Sequence, residues 1–314
     1  MELAMPESAG AKLRRALREN RLTVAPGAYD PLLARIIEHV GFPAVYAGGS
    51  GISSAAYGRP DMGLTTMTEM RDVVGRIAGA VSIPVLGDIE QGFGDVINVR
   101  RTVREFEAAG LGGVHLEDES GPSKHPHGSV PITVERMVEK IGVACAARTD
   151  PDFMIFGRCD GLRSLGMRET LKRSRAYVEG GADGLWVFTG NDADPREMEE
   201  IAAAFPDVPL IYCWSVRGVE CRLSLDQIES MGFSMVIAPN LMLFGLIAES
   251  LRLLTEIKEK GSMADLLDRI ASAEVVNDLV GLTEAREFQA SLSQPAYVDP
   301  AREQWVMGGH GPSR

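Results

Sequence analysis

Cysteine is scarce in this chain: Cys145, Cys159, Cys213 and Cys221 are the only four in 314 residues, and no two form a CxxC pair. A chain this long needs no disulfide framework, so a reducing, cytoplasmic setting is expected. Positive charge is also short. Lysine and arginine total 32 against 44 acidic residues, a formal net charge of -12, and no basic stripe interrupts that balance. This argues against nucleic acid and anionic membrane as partners. No stretch approaches the roughly 18 apolar residues of a membrane span. Residues 1–15 carry charge and proline instead of an apolar run, so neither export nor anchoring is expected. There is no Gly/Ser-rich linker, and the first strand-to-helix turn lacks a GxGxxG, which argues against a Rossmann fold.

What remains is an ordinary globular composition, 45% hydrophobic and 24% charged. Short apolar runs alternate with helical-period segments from about residue 22 to about 260. Eight such runs are present: Thr23–Ala28, Ala44–Gly49, Ile83–Glu90, Gly113–Glu119, Phe153–Asp160, Gly184–Gly190, Pro209–Trp214 and Met235–Asn240. Amphipathic helices are predicted between them, among them Val96–Ala109, Val134–Arg148, Met167–Gly180 and Leu241–Lys260. Eight units predict an α/β fold, a (β/α)8 TIM-type barrel over residues 1–260 with a short N-terminal helix. Residues 261–314 read as a C-terminal helical appendage and tail, with helices over Met263–Ala273 and Leu282–Ala290. A barrel does not require such an appendage, so it is expected to pack on a neighbouring subunit.

In such a barrel the reacting groups sit at the C-terminal ends of the strands. The third run ends Gly87-Asp88-Ile89-Glu90 before Gln91-Gly92-Phe93-Gly94, and alternation puts Asp88 and Glu90 on one face. The fourth ends His115-Leu116-Glu117-Asp118-Glu119, with His115, Glu117 and Glu119 sharing a face. Carboxylates from neighbouring strands aimed at one mouth repel unless a cation compensates, and hard oxygen donors suit Mg2+ or Mn2+. The alternative is solvated strand ends in an acidic protein. Arg158 ends an otherwise apolar run, which suits a carboxylate clamp, or else a structural pair with the Asp88 and Glu117 acids. Tyr46-Ala47-Gly48-Gly49-Ser50-Gly51 offers backbone N–H groups to an anion.

Taken together these residues resemble the isocitrate lyase and phosphoenolpyruvate mutase superfamily, especially short members such as methylisocitrate lyase, dimethylmalate lyase, oxaloacetate decarboxylase and the phosphonopyruvate enzymes. The likeness runs from about Val24 to Lys260. It rests on Pro26-Gly27-Ala28-Tyr29-Asp30, the Tyr46 to Ser50 stretch, Gly58-Arg59-Pro60-Asp61-Met62-Gly63, Asp88-x-Glu90-x-Gly92-Phe93-Gly94, Leu116-Glu117-Asp118 and Gly157-Arg158. The resemblance implies Mg2+, with Mn2+ as a substitute, at Asp88, with Glu90 and Glu117 acting directly or through waters. It implies Tyr46, Gly48, Gly49, Ser50 and Arg158 around a substrate carboxylate and Asp61 beside the reacting centre. It also implies a metal-stabilised enolate, and a homotetramer with an exchanged C-terminal helix.

Departures from the family pattern are equally informative. Lyases of this group carry Lys-Arg-Cys-Gly-His after the fourth strand, where this chain reads Ser123-Lys124-His125-Pro126-His127-Gly128. His125 stands in place of the cysteine as candidate acid/base, with His127 as a substrate contact; a solvated lid is the alternative. Phe188 stands where a glutamate is usual, Cys213 where an asparagine is usual, and Glu119 after Asp118 breaks the mutase pattern. The expected function is a Mg2+-dependent carbon-carbon lyase or decarboxylase on a small 2-hydroxy or 2-oxo di- or tricarboxylate. Phosphonopyruvate or carboxyphosphonate chemistry and a non-catalytic 2-oxo acid binder are the alternatives.

Overall fold

In the computed structural model, residues 7–121, 130–190, 194–214 and 223–292 are described. Each apolar run contains a short strand: β1 Thr23–Pro26, β2 Val45–Ala47, β3 Val85–Asp88, β4 Gly113–Glu117, β5 Met154–Cys159, β6 Gly184–Val187, β7 Ile211–Cys213 and β8 Met235–Ala238. All pairings are parallel, in the orders β2-β3-β4-β5-β6 and β1-β8-β7. Parallel bridges from Gly27 to Tyr46 and from Leu185 to Leu210 join these two sheets at both edges. The result is the closed eight-stranded barrel expected from the sequence, with no free sheet edge to protect.

Strand residues are apolar on both faces because both faces are covered. Inward-pointing Leu86, Met154, Phe156, Trp186, Ile211 and Met235 fill the barrel. Outward-pointing Val45, Val85, Val114, Ile155, Leu185 and Val236 pack with the helices. Register then sets which side chains meet at the C-terminal mouth: Asp88 is level with His115, Glu117 with Arg158, and Arg158 with Trp186.

Local signals fix where the helices begin and end. Asp30 caps Pro31–Val40, its carboxylate accepting from the Leu33 N–H at 2.8 Å, while Pro31 occupies the first turn at no hydrogen-bonding cost. Thr66 with Glu69, Asp194 with Glu197 and Ser224 with Gln227 form reciprocal caps. Gly41 and Gly232 close their helices at φ 96° and 99°, in the left-handed region that glycine enters freely.

The N-terminal helix, Ala9–Glu19, seals the bottom of the barrel. Leu13 is fully buried among the inward-pointing side chains. Arg14 donates to the Asp152 carbonyl at 2.9 Å and to Asp183 Oδ1 at 2.7 Å. The contact is tight: a Cβ on Gly10 would lie 2.5 Å from the Phe153 nitrogen.

Two segments differ from expectation. The glycine-rich stretch after β2, for which no helix is expected, forms one: Gly48 is an N-cap and Gly49–Tyr57 is a helix. Met263–Ala273 is not one helix but a 3-10 helix, Ala264–Arg269, and the start of a second helix, Ala273–Leu279. Ile270 is extended, and Ser272 begins the new helix by accepting from the Val275 N–H. The chain divides into two compact units between Gly261 and Ser262. The second holds these two short helices and Leu282–Ser291. No helix among the described residues is long and apolar enough to cross a membrane.

Candidate active site at the C-terminal mouth of the barrel

β3 ends at Asp88, and its carboxylate organises the turn that follows. Asp88 Oδ1 accepts from the Glu90 N–H at 2.8 Å, and Oδ2 accepts from the Gly49 N–H at 3.2 Å. Glu90 and Phe93 take positive φ, 49° and 55°. Each such non-glycine residue costs roughly 1–2 kcal/mol, strain that collects at functional sites. Packing holds the turn in place: Glu117 N–H donates to the Glu90 carbonyl at 3.0 Å, and Lys140 Nζ to the Gln91 carbonyl at 2.7 Å. Asp88 and Glu90 therefore meet through this turn and not through strand alternation, which ends at Asp88. Both come up against Gly49, where a Cβ would sit 2.4 Å from Glu90 Oε1 and 3.2 Å from Asp88 Oδ2.

β4 and β5 supply the next layer. Glu117, 1% exposed, accepts from Gln91 Nε2 at 2.5 Å and pairs with Arg158 Nη1 at 3.0 Å. Arg158 Nη2 and Nε both bind Asp160 Oδ1, at 2.7 and 3.2 Å. The guanidinium lies 4.3 Å from the Trp186 ring centroid and 5.0 Å from that of Phe188. Tyr46 Oη and His115 Nε2 share a hydrogen bond of 2.8 Å, and His115 Nε2 is 3.7 Å from Asp88 Oδ1.

Burial dominates the electrostatics. It pushes the Glu117 carboxyl well above its usual range, against the pull of Arg158. It drives the His115 imidazole down to about 4, although Asp88 opposes this, so His115 is neutral at pH 7. The Tyr46 phenol is raised by burial and by Asp88, and the Cys213 thiol by burial to about 12. Burial lowers Arg158, but Asp160, Glu117 and Asp88 more than reverse that, so the guanidinium stays charged.

Of the residues singled out in the sequence, Tyr46, Gly49, Asp88, Glu90, Glu117 and Arg158 are joined through these contacts. Gly48 packs on the Tyr46 ring, where a Cβ would lie 2.6 Å from Cε1, and Ser50 sits half-buried in the first turn of its helix. Asp61 is half-buried on the loop after Tyr57. That loop borders, at Gly63 and Thr65, a cavity of about 490 Å3 also lined by Glu90 and Gln91. His125 and His127 lie outside the described residues. Sequence reasoning missed Gln91 and Asp160. Alternation along β5 put Asp160 on the face of Arg158 and could have found it; nothing in the sequence pattern marks Gln91.

The donors around Asp88, Glu90 and Glu117 are oxygens, the chemistry of a hard cation. Among the described residues no three His, Cys, Asp or Glu side chains are grouped to hold an ion by themselves. Mg2+ takes one or two carboxylates and keeps several waters. The buried acids around Asp88 give such an ion an electrostatic reason to bind.

The family described as phosphoenolpyruvate phosphomutase matches residues 13–258. The chain is 37% identical over 282 residues to 2,3-dimethylmalate lyase of Eubacterium barkeri, covering 89% of this chain and 96% of that one. Among solved structures, oxaloacetate acetylhydrolase with 3,3-difluorooxalacetate superposes with a TM-score of 0.85 at 28% identity, covering 93% of this chain and 99% of that one. Phosphonopyruvate hydrolase with oxalate and Mg2+ gives 0.83 at 29% identity, with 91% and 100% covered.

Proposed function

This chain belongs to the phosphoenolpyruvate phosphomutase family, and on that premise we propose that it is a Mg2+-dependent carbon-carbon lyase or decarboxylase acting on a small 2-hydroxy or 2-oxo di- or tricarboxylate. The observation that carries the reading is that Asp88 and Glu90 converge on Gly49 while Glu117 pairs with one buried arginine, Arg158, at the same barrel mouth. Asp88 holds the metal, with Glu90 and Glu117 directly or through water. When bound, the metal supplies Lewis-acid stabilisation of negative charge on a substrate oxygen.

The chain's own groups do the rest. Arg158 offers a permanent charge to the substrate carboxylate, steadied between Glu117 and Asp160 and backed by Trp186 and Phe188. Tyr46 keeps its proton, because burial raises the phenol. With the imidazole proton on Nε2, neutral His115 donates to Tyr46 Oη and leaves the phenol O–H to turn toward the ligand. The amides of Gly48 and Ser50 flank Gly49, whose own N–H is committed to Asp88. Asp61 acts beside the reacting centre, His125 returns the proton to carbon, and His127 contacts substrate.

The exposed apolar face of Leu241–Lys260 supports assembly as a homotetramer with exchanged C-terminal helices, residues 1–260 forming the barrel and 261–314 its appendage. Among the described residues Cys145, Cys159 and Cys213 are free thiols, which supports a cytoplasmic setting.

A screen of 2-methylisocitrate, 2,3-dimethylmalate and oxaloacetate, with and without EDTA, tests the activity. Turnover of at least one is expected to vanish with EDTA and return with Mg2+ or Mn2+, and Asp88→Ala to lower kcat/KM by about 1000-fold. Turnover indifferent to EDTA would overturn the metal role. Phosphorus NMR showing conversion of phosphonopyruvate in place of these substrates would move the reading to phosphorus chemistry.

A further inference from the structure

Asp160, an acid of the mouth, has only half of its carboxylate hydrogen-bonded among the described residues. Its side chain is 3% exposed. Its backbone N–H donates to Asp118 Oδ1 at 2.9 Å, and Asp118 Oδ2 in turn accepts from Tyr177 at 2.6 Å, so the position is fixed from behind. Both Arg158 donors, Nε and Nη2, converge on Asp160 Oδ1, and Oδ2 is buried without a partner. A pair serving structure alone would close as a fork, one N–H to each oxygen. Leaving a carboxylate oxygen buried and unsatisfied carries a standing cost that a ligand donor would remove.

The surroundings indicate what that donor is. Asp160 directly follows β5 and is held against the inward-pointing Arg158, and its charge is felt by Glu117 and by Cys213 across the mouth on β7. Trp186 and Phe188 pack on the same Arg158 guanidinium, and Cys213 belongs to the same apolar cluster, so the acceptor sits in largely apolar surroundings. A carboxylate oxygen repels ketone, carboxylate and phosphonate oxygens, which only accept, and it attracts a hydroxyl.

We propose that Asp160 Oδ2 receives the hydroxyl of the substrate, making Asp160 a specificity-determining residue that selects a 2-hydroxy acid over its deoxy and oxo counterparts. This rests on the small-carboxylate reading above and narrows it, placing phosphonopyruvate outside the preferred substrates.

Calorimetry on the Mg2+-loaded full chain tests it with three probes: malate, succinate, which lacks only the hydroxyl, and oxalate, which has none. Wild type is expected to bind malate about tenfold or more tighter than succinate, the scale of a hydrogen bond to a charged group. Asp160→Asn, which puts a donor where the acceptor stood, is expected to shrink that ratio to about threefold or less, with malate affinity falling by clearly more than oxalate affinity. Equal affinity of the wild type for malate and succinate overturns the proposal without any variant. So does a ratio that survives Asp160→Asn, or a parallel loss of oxalate and malate, which would make Asp160 only a support for Arg158. Failure of the wild type to bind oxalate at all overturns the carboxylate reading itself, and this inference with it.

Discussion

Gly49 and His115 each separate what holds the site from what the site does. A methyl group at Gly49 would press on Glu90 Oε1 at 2.4 Å and on Asp88 Oδ2 at 3.2 Å. These are the ends of side chains, which move more cheaply than backbone, and alanine suits a helix better than glycine. Gly49→Ala is therefore expected to change stability by less than about 1 kcal/mol yet weaken Mg2+ binding about tenfold, by urea melts and metal calorimetry. Unchanged metal affinity would show that the two acids do not need their observed spacing. His115 has a different signature. Its folded pKa of about 4 lies below the 6.5 of an ordinary imidazole, so the unfolded chain takes up the proton first as pH falls. The neutral ring's contribution is complete above about 6.5 and is lost as pH drops from there to about 4, roughly 3 kcal/mol in all. With EDTA present, the stability gap between wild type and His115→Gln is expected to narrow across that window; a gap that stays constant would mean His115 is not held neutral. Asp88, Glu117 and Arg158 could be read from the chain because ionisable residues ending apolar strands are conspicuous. Gln91 could not, since its contact with Glu117 depends on the path of a turn through Glu90 at positive φ.

Among elements, the strands were legible and one helix was not, for a physical reason. Runs buried on both faces are apolar throughout, so β1 to β8 stand out against the amphipathic helices. Gly49–Tyr57 is rich in glycine and serine, poor helix formers, and its fold comes from tertiary demand: Ile52 and Ser53 are buried, and Gly49 faces Asp88. The N-terminal helix provides the opposite control. Leu13 is fully buried at the closed end of the barrel, remote from the acids of the mouth. Leu13→Ala is expected to cost about 3 kcal/mol in urea unfolding while leaving metal affinity within about twofold. A matching loss of metal binding would mean that the bottom of the barrel sets the geometry of the mouth.

For the molecule as a whole, the outer helix Leu241–Lys260 is the feature that a lone chain does not explain. Of its 20 residues only Leu243 is buried. Leu246, Ile247, Leu251 and Leu254 are 51, 47, 62 and 64% exposed, and at 3.6 residues per turn they fall on one broad face. Scattered apolar residues need no explanation, but a continuous stripe on a protein of net charge -12 marks an association surface. A second copy of this chain is the natural occupant, because symmetric self-association buries the same stripe on every subunit. Sedimentation of the wild type is expected to give a tetramer, and the paired change Leu251→Glu with Leu254→Glu to give smaller species with unchanged circular dichroism, since neither residue contributes to the barrel core. A wild type that sediments as a monomer, or a double variant that remains a tetramer, would remove this helix from the interface.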